Sequence, residues 1–179
     1  DYYPSLAGEE INFDSRSGTL KVTKCVDGLC LNFPVDRPVL TALDPLFIKI
    51  LDIEPLKLLR GKDDFLAVFE NQKQIEDMQP SLTLLKKINA RGLVISAPGN
   101  EVDFVSRCFY PEAGIEEDPV TGSAHTMLTP YWADEFDKDE LQAHQLSKRG
   151  GKLNCKLANN RVYISGDSVI YFEGAISII

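Results

Sequence analysis

One long helical pattern lies within a sequence that otherwise carries short strand patterns, and it constrains the fold more than any other feature. The pattern begins near Gly122, and apolar side chains follow it at helical spacing: Ala124, Met127, Leu128, Tyr131, Trp132 and Phe136. A stripe this broad is typical of a helix packed in a core. Pro130 lies inside the pattern and has no N–H, so we expect a kink or a missing hydrogen bond there.

Short strand patterns flank that helix along the chain. They are apolar or alternating runs bounded by turn residues, at 11–16, 19–25, 29–33, 56–60, 64–70, 92–97, 102–110, 141–146, 152–158, 161–165 and 169–176. Further helices are predicted at 45–51 and 80–89. Strands and helices do not alternate regularly, so the predicted fold class is α+β. With 179 residues, 44% of them hydrophobic, the chain can build one sizeable core or two small ones.

The charge balance argues against two classes of partner. The chain has 19 Lys and Arg residues against 27 Asp and Glu residues, a formal net charge of −8. An acidic chain repels phosphate backbones, so we expect no nucleic-acid partner. No apolar stretch approaches the roughly 20 residues that a membrane helix needs, so we expect no membrane partner.

The cysteines and histidines do not form a metal-binding pattern. The four cysteines contain no Cys-x-x-Cys pair and there are only two histidines, so no metal site is predicted. Cys25 and Cys30 flank a predicted Asp27-Gly28 hairpin turn, which would bring them opposite each other across two strands. A disulfide there would be strained, and we expect free thiols of a cytosolic protein instead.

Two segments of the chain resemble each other at an offset of 133 positions. Gly18 falls on Gly151 and Leu31 on Ile164, and each segment predicts a strand, a turn and a second strand. In the second copy, a motif around Asp118 and the long helix come first. The counterpart of Asp118 in the first copy would precede the first residue. We therefore expect the first repeat to be incomplete in these 179 residues.

The segment with the clearest chemistry runs Glu117-Asp118-Pro119-Val120-Thr121-Gly122-Ser123-Ala124-His125. Pro119 forces Asp118 into an extended or turn conformation, and Thr121 or Ser123 can cap the helix that follows. The free N–H groups of residues 122–124 would then point out of the helix start, where they bind a carboxylate or phosphate. Asp118 beside them can orient a substrate or move a proton. The alternative is an ordinary capped helix after a surface Asp-Pro turn.

Nearby polar residues are open to more than one interpretation. His125 falls in the first helical turn, and its residue type alone favours a packed or exposed histidine over a catalyst. Arg107 can pair with Glu116 or Glu117. A polar strand end faces either the site or a loop edge: Gln145, Ser147 and Arg149.

These residues resemble the PhzF family of phenazine biosynthesis-like domain-containing proteins, named for the phenazine-biosynthesis isomerase. The match is carried by residues 117–125 together with Phe104-Val105-Ser106-Arg107, Pro130-Tyr131-Trp132, Gln145-Leu146-Ser147-Lys148-Arg149-Gly150-Gly151 and Glu173-Gly174. Their order and spacing also match. The similarity covers nearly the whole chain, and the motif at 117–125 is highly specific.

The resemblance implies a diaminopimelate-epimerase-like fold, in which two similar domains each wrap a sheet barrel around a central helix. It implies a remnant of the first domain at residues 1–41, completed by a returning strand at 169–179, and one complete second domain at residues 42–168. The active site would lie in the cleft between the domains. The family's founding activity uses no cofactor or metal and isomerises a dihydro-hydroxyanthranilate by moving a proton between ring carbons.

The resemblance also assigns site residues: catalytic Asp118 and Ser123, and substrate-binding Gly122, Thr121, Ala124 and His125. In the family, the principal acid and base is a glutamate in a Ser-Glu-Thr-Ala-Phe-like segment, supported by a histidine in a Gly-His-Ala-Thr segment. Neither segment occurs in this chain, so we expect a C-terminal portion that is inactive alone. Cysteine-dependent epimerases of this fold carry their thiol at the position of Thr121, which disfavours cysteine racemase chemistry.

The leading hypothesis is a cytoplasmic, cofactor-independent isomerase of PhzF type that moves a proton on a small carboxylate-bearing substrate. The alternative is a non-enzymatic member of the same fold that binds a small molecule or a protein. A racemase or epimerase is a weaker option, because it needs a pair of acid/base groups and only one is visible in the sequence. Family members are often dimers, so the resemblance makes a homodimer one expected assembly.

Overall fold

A computed structural model describes residues 10–15, 18–25, 28–169, 171–172 and 174 of the chain. The strands in this part are β1 (Ile11–Ser15), β2 (Gly18–Cys25), β3 (Gly28–Pro34), β4 (Val39–Leu40), β5 (Lys57–Arg60), β6 (Asp64–Val68), β7 (Gly92–Pro98), β8 (Phe104–Phe109), β9 (Glu140–Gln145), β10 (Gly151–Ala158) and β11 (Arg161–Gly166). The helices are α1 (Pro45–Leu51), α2 (Gln72–Asp77), α3 (Leu82–Leu85) and α4 (Gly122–Phe136). None of these helices is long and apolar enough to cross a membrane.

The described strands form one mixed sheet in the order β1-β2-β3-β11-β10-β9-β8-β7-β6-β5-β4. Neighbours are antiparallel except for two pairs, β6 with β7 and β8 with β9. A parallel pair needs a crossover connection. Helices α2 and α3 lie in the connection from β6 to β7, and α4 lies in the connection from β8 to β9. A mixed sheet with a few helices agrees with the predicted α+β class.

Helix α4 is the centre of the larger core. Eight strands, β3 and β5 to β11, contribute side chains that pack in one cluster with this helix. The predicted apolar stripe is confirmed as core, with Leu128 fully buried, except that Phe136 is 39% exposed. The described strand order ends at β1 and β4, so the closed barrel of the resemblance stays a prediction.

The opposite face of the sheet carries a second core beneath the three short helices. Phe47 and Ile50 of α1, Ile75 of α2 and Leu85 of α3 are buried there. Strand β7 is consequently covered on both faces, and its residues 92–97 are all buried. Burial on both faces explains why this segment is continuously apolar rather than alternating.

Pro130 lies within α4 without ending the helix. A residue at this position would normally donate its N–H to the carbonyl of Thr126, and proline has no N–H to donate. The Thr126 carbonyl accepts instead from the backbone N–H of Asp36 at 3.0 Å. The Asp36 carboxylate in turn accepts from the N–H of Lys62 at 3.0 and 3.1 Å. The Thr126 carbonyl, which has no partner within the helix, therefore attaches the segment after β3 to α4.

The β2–β3 hairpin corrects the predicted geometry of two cysteines. Cys25 pairs with Gly28 and Cys30 pairs with Thr23, so the cysteines are not directly opposite each other. Gly28 belongs to β3, and residues 26 and 27, which include the predicted turn residue at 27, lie outside the described residues. The four cysteines are free thiols. Burial raises the pKa of the Cys30 thiol, which keeps it protonated at neutral pH.

Three helix and strand predictions differ from the structure. The helix predicted at 80–89 is only the single turn Leu82–Leu85. Helix α2 was missed, although Asn71 and Gln74 form a capping box at its start. Its six residues are too few to show an apolar period. The residues described within the strand predicted at 169–176 form no strand, and residues 170, 173 and 175–179 lie outside the described part.

The predicted division into residues 1–41 and 42–168 falls inside the sheet. β3 pairs with β11 over six residue pairs, and β4 pairs with β5. Backbone hydrogen bonds therefore join the two predicted units at both places. The boundary and the returning strand at 169–179 stay predictions.

Leu128→Ala should lower the free energy of unfolding by about 2–5 kcal/mol, because it leaves a cavity at the centre of the core. The matched control is Leu40→Ala, since Leu40 is 72% exposed on the edge strand β4. Its effect should stay within about 0.5 kcal/mol. Urea denaturation of both variants measures the difference, and equal losses would contradict the central position of α4.

Candidate active site

The candidate site is the loop that leads from β8 into α4. The backbone N–H of Asp118 donates to the carbonyl of Cys108 at 2.9 Å, which fixes the loop to strand β8. Thr121 is the N-cap residue of α4 and has an extended backbone. Asp118 is half-buried, Gly122 is half-buried and Ser123 is exposed. All three residues are therefore at least partly open to solvent.

Gln145, at the end of β9, holds this loop in place with a fully buried side chain. Its Oε1 accepts from the backbone N–H of Thr121 at 2.8 Å. Its Nε2 donates to the carbonyl of Asp118 at 2.7 Å and to the hydroxyl of Thr121 at 3.1 Å. One amide thus satisfies three polar groups of the motif, so Gln145 of the predicted polar strand end is directed toward the motif.

The hydroxyl of Thr121 donates to the Asp118 carboxylate rather than capping the helix. The prediction that Thr121 or Ser123 caps α4 is wrong in this respect, because Thr121 uses its hydroxyl on Asp118 and Ser123 accepts from Arg91. The N–H groups of residues 122–124 have no acceptor among the described residues. The helix start therefore presents free donors and the positive end of its dipole.

The predicted substrate-binding residues differ in what they expose. A Cβ added to Gly122 would meet the ring of Phe33 at 3.7 Å, an ordinary van der Waals contact, so Gly122 lies beside that ring without crowding it. The side chains of Thr121 and Ala124 are buried, with 6% and 0% exposure. These values cover the whole residue with its backbone, so Ala124 has no surface open to a ligand and Thr121 has little.

His125 is fully buried beneath the helix start. Its Nδ1 lies 2.7 Å from the carbonyl of Thr121, which requires the tautomer that carries the proton on Nδ1. Its Nε2 has no partner in the described part of the chain. Burial lowers the pKa of His125 to about 4, so the ring is neutral at neutral pH. The histidine therefore supports the backbone at Thr121 as a packed residue, in line with the interpretation that its residue type favours.

A cluster that the sequence did not predict adjoins Ser123. Arg91 donates from Nη2 to the hydroxyl of Ser123 at 3.1 Å, and it forms a two-pronged ion pair with Asp64. Its guanidinium also lies 5.1 Å from the centre of the Tyr110 ring. Asp64 and Gly92 are paired as the first residues of the parallel strands β6 and β7. Recognition of that parallel pairing would have been the signal that places Arg91 beside the motif.

Arg107 anchors the loop from the other side of the sheet. It donates from Nε and Nη2 to the Glu117 carboxylate at 2.6 and 3.1 Å, which confirms one of its two predicted partners. Its Nη1 donates to the carbonyls of Ile75 and Met78 at 3.1 and 2.7 Å. Bidentate charge-assisted bonds are strong, so the residue just before Asp118 is held by α2 as well as by β8.

A cavity of about 590 Å³ lies next to the loop, and its lining includes Pro119, Ser147 and Arg149. Ser147 donates to the carbonyl of Pro119 at 2.6 Å and accepts from the N–H of Gly150 at 3.0 Å. A larger cavity, of about 1000 Å³, lies elsewhere, against the outer face of β9, β10 and β11. Neither cavity is lined by Asp118 or Ser123.

The arrangement combines a fixed carboxylate with free hydrogen-bond donors, which suits a small ligand that carries an anionic group. The described residues include no group of three or more His, Cys, Asp or Glu side chains that could hold a metal ion.

Comparisons with known proteins give one consistent family. The family model described as phenazine biosynthesis-like protein, PhzC-PhzF, matches residues 5–174. Three proteins named as uncharacterized isomerases, from Halalkalibacterium halodurans and Pseudomonas aeruginosa, are each 39% identical to the chain over 166–172 residues. These matches cover 91–96% of this chain and 63–66% of the relatives. The chain therefore spans a little under two thirds of their length.

Solved structures agree with this result. A PhzF-family phenazine biosynthesis protein of Enterococcus faecalis matches with a TM-score of 0.89 and 35% identity, over 99% of this chain and 68% of that one. A Pseudomonas aeruginosa protein described as a predicted epimerase matches with a TM-score of 0.57 and 15% identity, over 88% of this chain and 63% of that one. The second match shows a shared epimerase-like fold and nothing further.

Gln145→Leu should lower the free energy of unfolding by about 1–3 kcal/mol, because it leaves buried polar groups of Thr121 and Asp118 without partners. The matched control is Gln142→Leu, since Gln142 is exposed on the same strand. Denaturant unfolding compares the two. If both substitutions had the same effect, the amide of Gln145 would not be what holds the loop.

His125 should make stability depend on pH. Its folded pKa of about 4 lies below its ordinary value of 6.5, so the unfolded chain binds the proton first as the pH falls. The stabilisation is complete above the ordinary pKa, and about 3 kcal/mol is lost as the pH falls to the folded pKa. His125→Gln should remove that part of the loss. Denaturation across this pH range measures it, and an unshifted His125 pKa in NMR titration would contradict the burial.

Proposed function

The chain belongs to the PhzC-PhzF family of phenazine biosynthesis-like proteins, and we propose that its site forms one wall of an isomerase active site. The reaction would move a proton on a small carboxylate-bearing molecule of the dihydro-hydroxyanthranilate type. The observation that carries the proposal is the Asp118 carboxylate next to the start of α4, which accepts from the Thr121 hydroxyl while Gln145 holds the Asp118 backbone carbonyl. The names of the relatives, uncharacterized isomerases, support the reaction class.

The proposal gives each motif residue a role that its surroundings allow. The substrate carboxylate would accept from the free N–H groups of Gly122 and Ser123, where the helix dipole favours an anion. Ser123 would donate its hydroxyl hydrogen to the same ligand. Asp118 would accept from a polar hydrogen of the substrate or take part in the proton transfer. Thr121 and His125 would hold the helix start in shape without touching the substrate through their side chains.

A proton shift needs a base that removes the proton from one carbon and an acid that returns one to another. The electron pair of the broken C–H bond moves along the conjugated system in between. No electrons leave the substrate, so the proposed reaction needs no redox cofactor and the proposal includes none. Asp118 alone is one such group, so the reaction would need a partner acid/base.

The family resemblance assigns that partner to a glutamate in a Ser-Glu-Thr-like segment, and no such segment occurs in these 179 residues. We therefore propose that this chain alone binds the substrate class without turning it over. The cytoplasmic location and the homodimer suggested by the resemblance remain part of the proposal.

The second candidate is a binding module of the same fold. It is favoured because Asp118 offers one carboxylate without an arginine partner at the described helix start, whereas the neighbouring Asp64 and Glu117 carboxylates are engaged by arginines. Binding of a small carboxylate is common to both candidates. They differ in whether addition of the glutamate-bearing part of the family architecture creates turnover.

Titration calorimetry with 3-hydroxyanthranilate, a stable relative of the proposed substrate, tests the site. Wild type should bind, and Asp118→Asn should weaken binding by about tenfold or more, because a hydrogen bond to a charged group is lost. Asp139→Asn is the matched control, since Asp139 is exposed beyond the far end of α4.

Three results would count against the proposal. Binding by neither wild type nor variant would leave the motif as scaffold. Equal weakening by Asp118→Asn and Asp139→Asn would remove Asp118 from the site. Isomerisation of a dihydro-hydroxyanthranilate by the 179 residues alone would show that the partner acid/base is present after all.

A further inference from the structure

Arg91 lies against the motif because three neighbouring strands, β6, β7 and β8, have their relevant ends at the same end of the sheet. Asp64 begins β6, Gly92 begins β7, and Tyr110 follows β8. A Cβ at Gly92 would lie 2.2 Å from the Tyr110 ring, so glycine is what lets the ring pack flat against the strand. Arg91, one residue earlier, then lies over that ring at 5.1 Å. The ring and the strand end form a platform for the guanidinium.

Asp64 fixes the orientation of the guanidinium on this platform. Its side chain is 5% exposed, and it accepts from Nε of Arg91 at 2.9 Å and from Nη2. The Tyr110 hydroxyl also lies 3.5 Å from this carboxylate. A buried carboxylate is costly without a partner, so the pair is locked in one geometry. The Asp64 hydrogen bond raises the pKa of Arg91, which stays charged throughout the accessible pH range.

The third contact of Arg91 reaches the motif. Its Nη2 donates to the Ser123 hydroxyl at 3.1 Å. A guanidinium has donors and no acceptor, so in this bond the Ser123 oxygen must be the acceptor. The hydroxyl hydrogen of Ser123 is consequently not used on Arg91. It can turn only toward another acceptor, and Ser123 is exposed at the open helix start.

We infer that Arg91 is a positioning residue that makes Ser123 an obligate hydrogen-bond donor to an anionic ligand at the start of α4. This inference rests on the proposed function and adds to it a residue outside the motif. Arg91 acts through Ser123 and does not itself touch the ligand. Asp64 and Tyr110 supply the rigid support that keeps its Nη2 aimed at the hydroxyl.

A purely structural role is the competing explanation, since Arg91 also neutralises a buried carboxylate. Arg91→Lys separates the two roles. Lysine keeps the positive charge beside Asp64, but a single ammonium lacks the planar fork that bonds Asp64 and Ser123 together. A double-mutant cycle with Ser123→Ala then shows whether the effect passes through the hydroxyl.

The cycle is measured as the affinity of the full chain for 3-hydroxyanthranilate. Arg91→Lys should weaken binding by about tenfold in the wild-type background. In the Ser123→Ala background the same substitution should change affinity by less than about twofold, because the residue through which it acts is gone. Arg37→Lys is the control, since Arg37 forms an exposed ion pair with Asp134 on α4. Equal losses from Arg91→Lys in both backgrounds would overturn the inference and leave the proposed function standing.

If wild type fails to bind the probe, the proposed function fails and a ligand-free measurement decides the inference. NMR of the Arg91 guanidinium should show Nη2 signals that shift when Ser123→Ala removes the hydroxyl. Arg91 signals that are identical with and without the hydroxyl would overturn the contact itself. A shift together with no binding would confirm that Arg91 orients Ser123 while removing the anionic ligand from the inference.

Discussion

Burial of α4 on most of its surface is the constraint on which the rest of the structure depends. A helix enclosed in this way cannot leave its polar groups to water, so the sheet and the helix itself must satisfy them. The Trp132 indole donates to Ser96 at 2.9 Å, and Thr129 donates to the carbonyl of His125 at 2.7 Å. The carbonyl that Pro130 leaves unpaired accepts from Asp36. The bonds to Ser96 and Asp36 attach β7 and the segment after β3 to the helix, so these contacts fix the chain path as well as the packing of the core.

The internal repeat acquires a physical meaning from one strand pair. β3 and β11 are antiparallel, and Leu31 lies directly opposite Ile164. These two residues are also equivalents at the offset of 133 positions found in the sequence. An antiparallel pair in which a residue faces its own equivalent has a local two-fold axis at that point. The two hairpins, β2–β3 and β10–β11, are therefore related by this axis, and the sheet passes through it from one repeat to the other.

The sequence-based predictions were most accurate where a long apolar period or a characteristic turn sequence allowed only one local structure. Helix α4, helix α1 and the strands from β5 to β11 fall within a few residues of their predicted bounds. The motif around Asp118 was found because its proline, glycine and carboxylate each have a local consequence. Arg91 and Asp64 were missed because they are far apart in the chain and meet only through the parallel pairing of β6 with β7. The role of Gln145 depends likewise on the parallel pairing of β9 with β8.

The N–H groups at the start of α4 lack, among the described residues, the hydrogen-bond partners that backbone groups have along the rest of the helix. A capping hydroxyl would stabilise it by about 1 kcal/mol, yet Thr121 donates to Asp118 instead. Departures of this kind are expected where function opposes local stability, which favours a ligand site over an ordinary capped helix. The nearby charges sharpen this argument. Asp64 already neutralises Arg91, and Asp118 adds a negative charge, so simple attraction would not explain the anionic ligand that we propose. Oriented donors would, because the N–H groups and the Ser123 hydroxyl would be directed before the ligand arrives and would need little reorganisation to bind it.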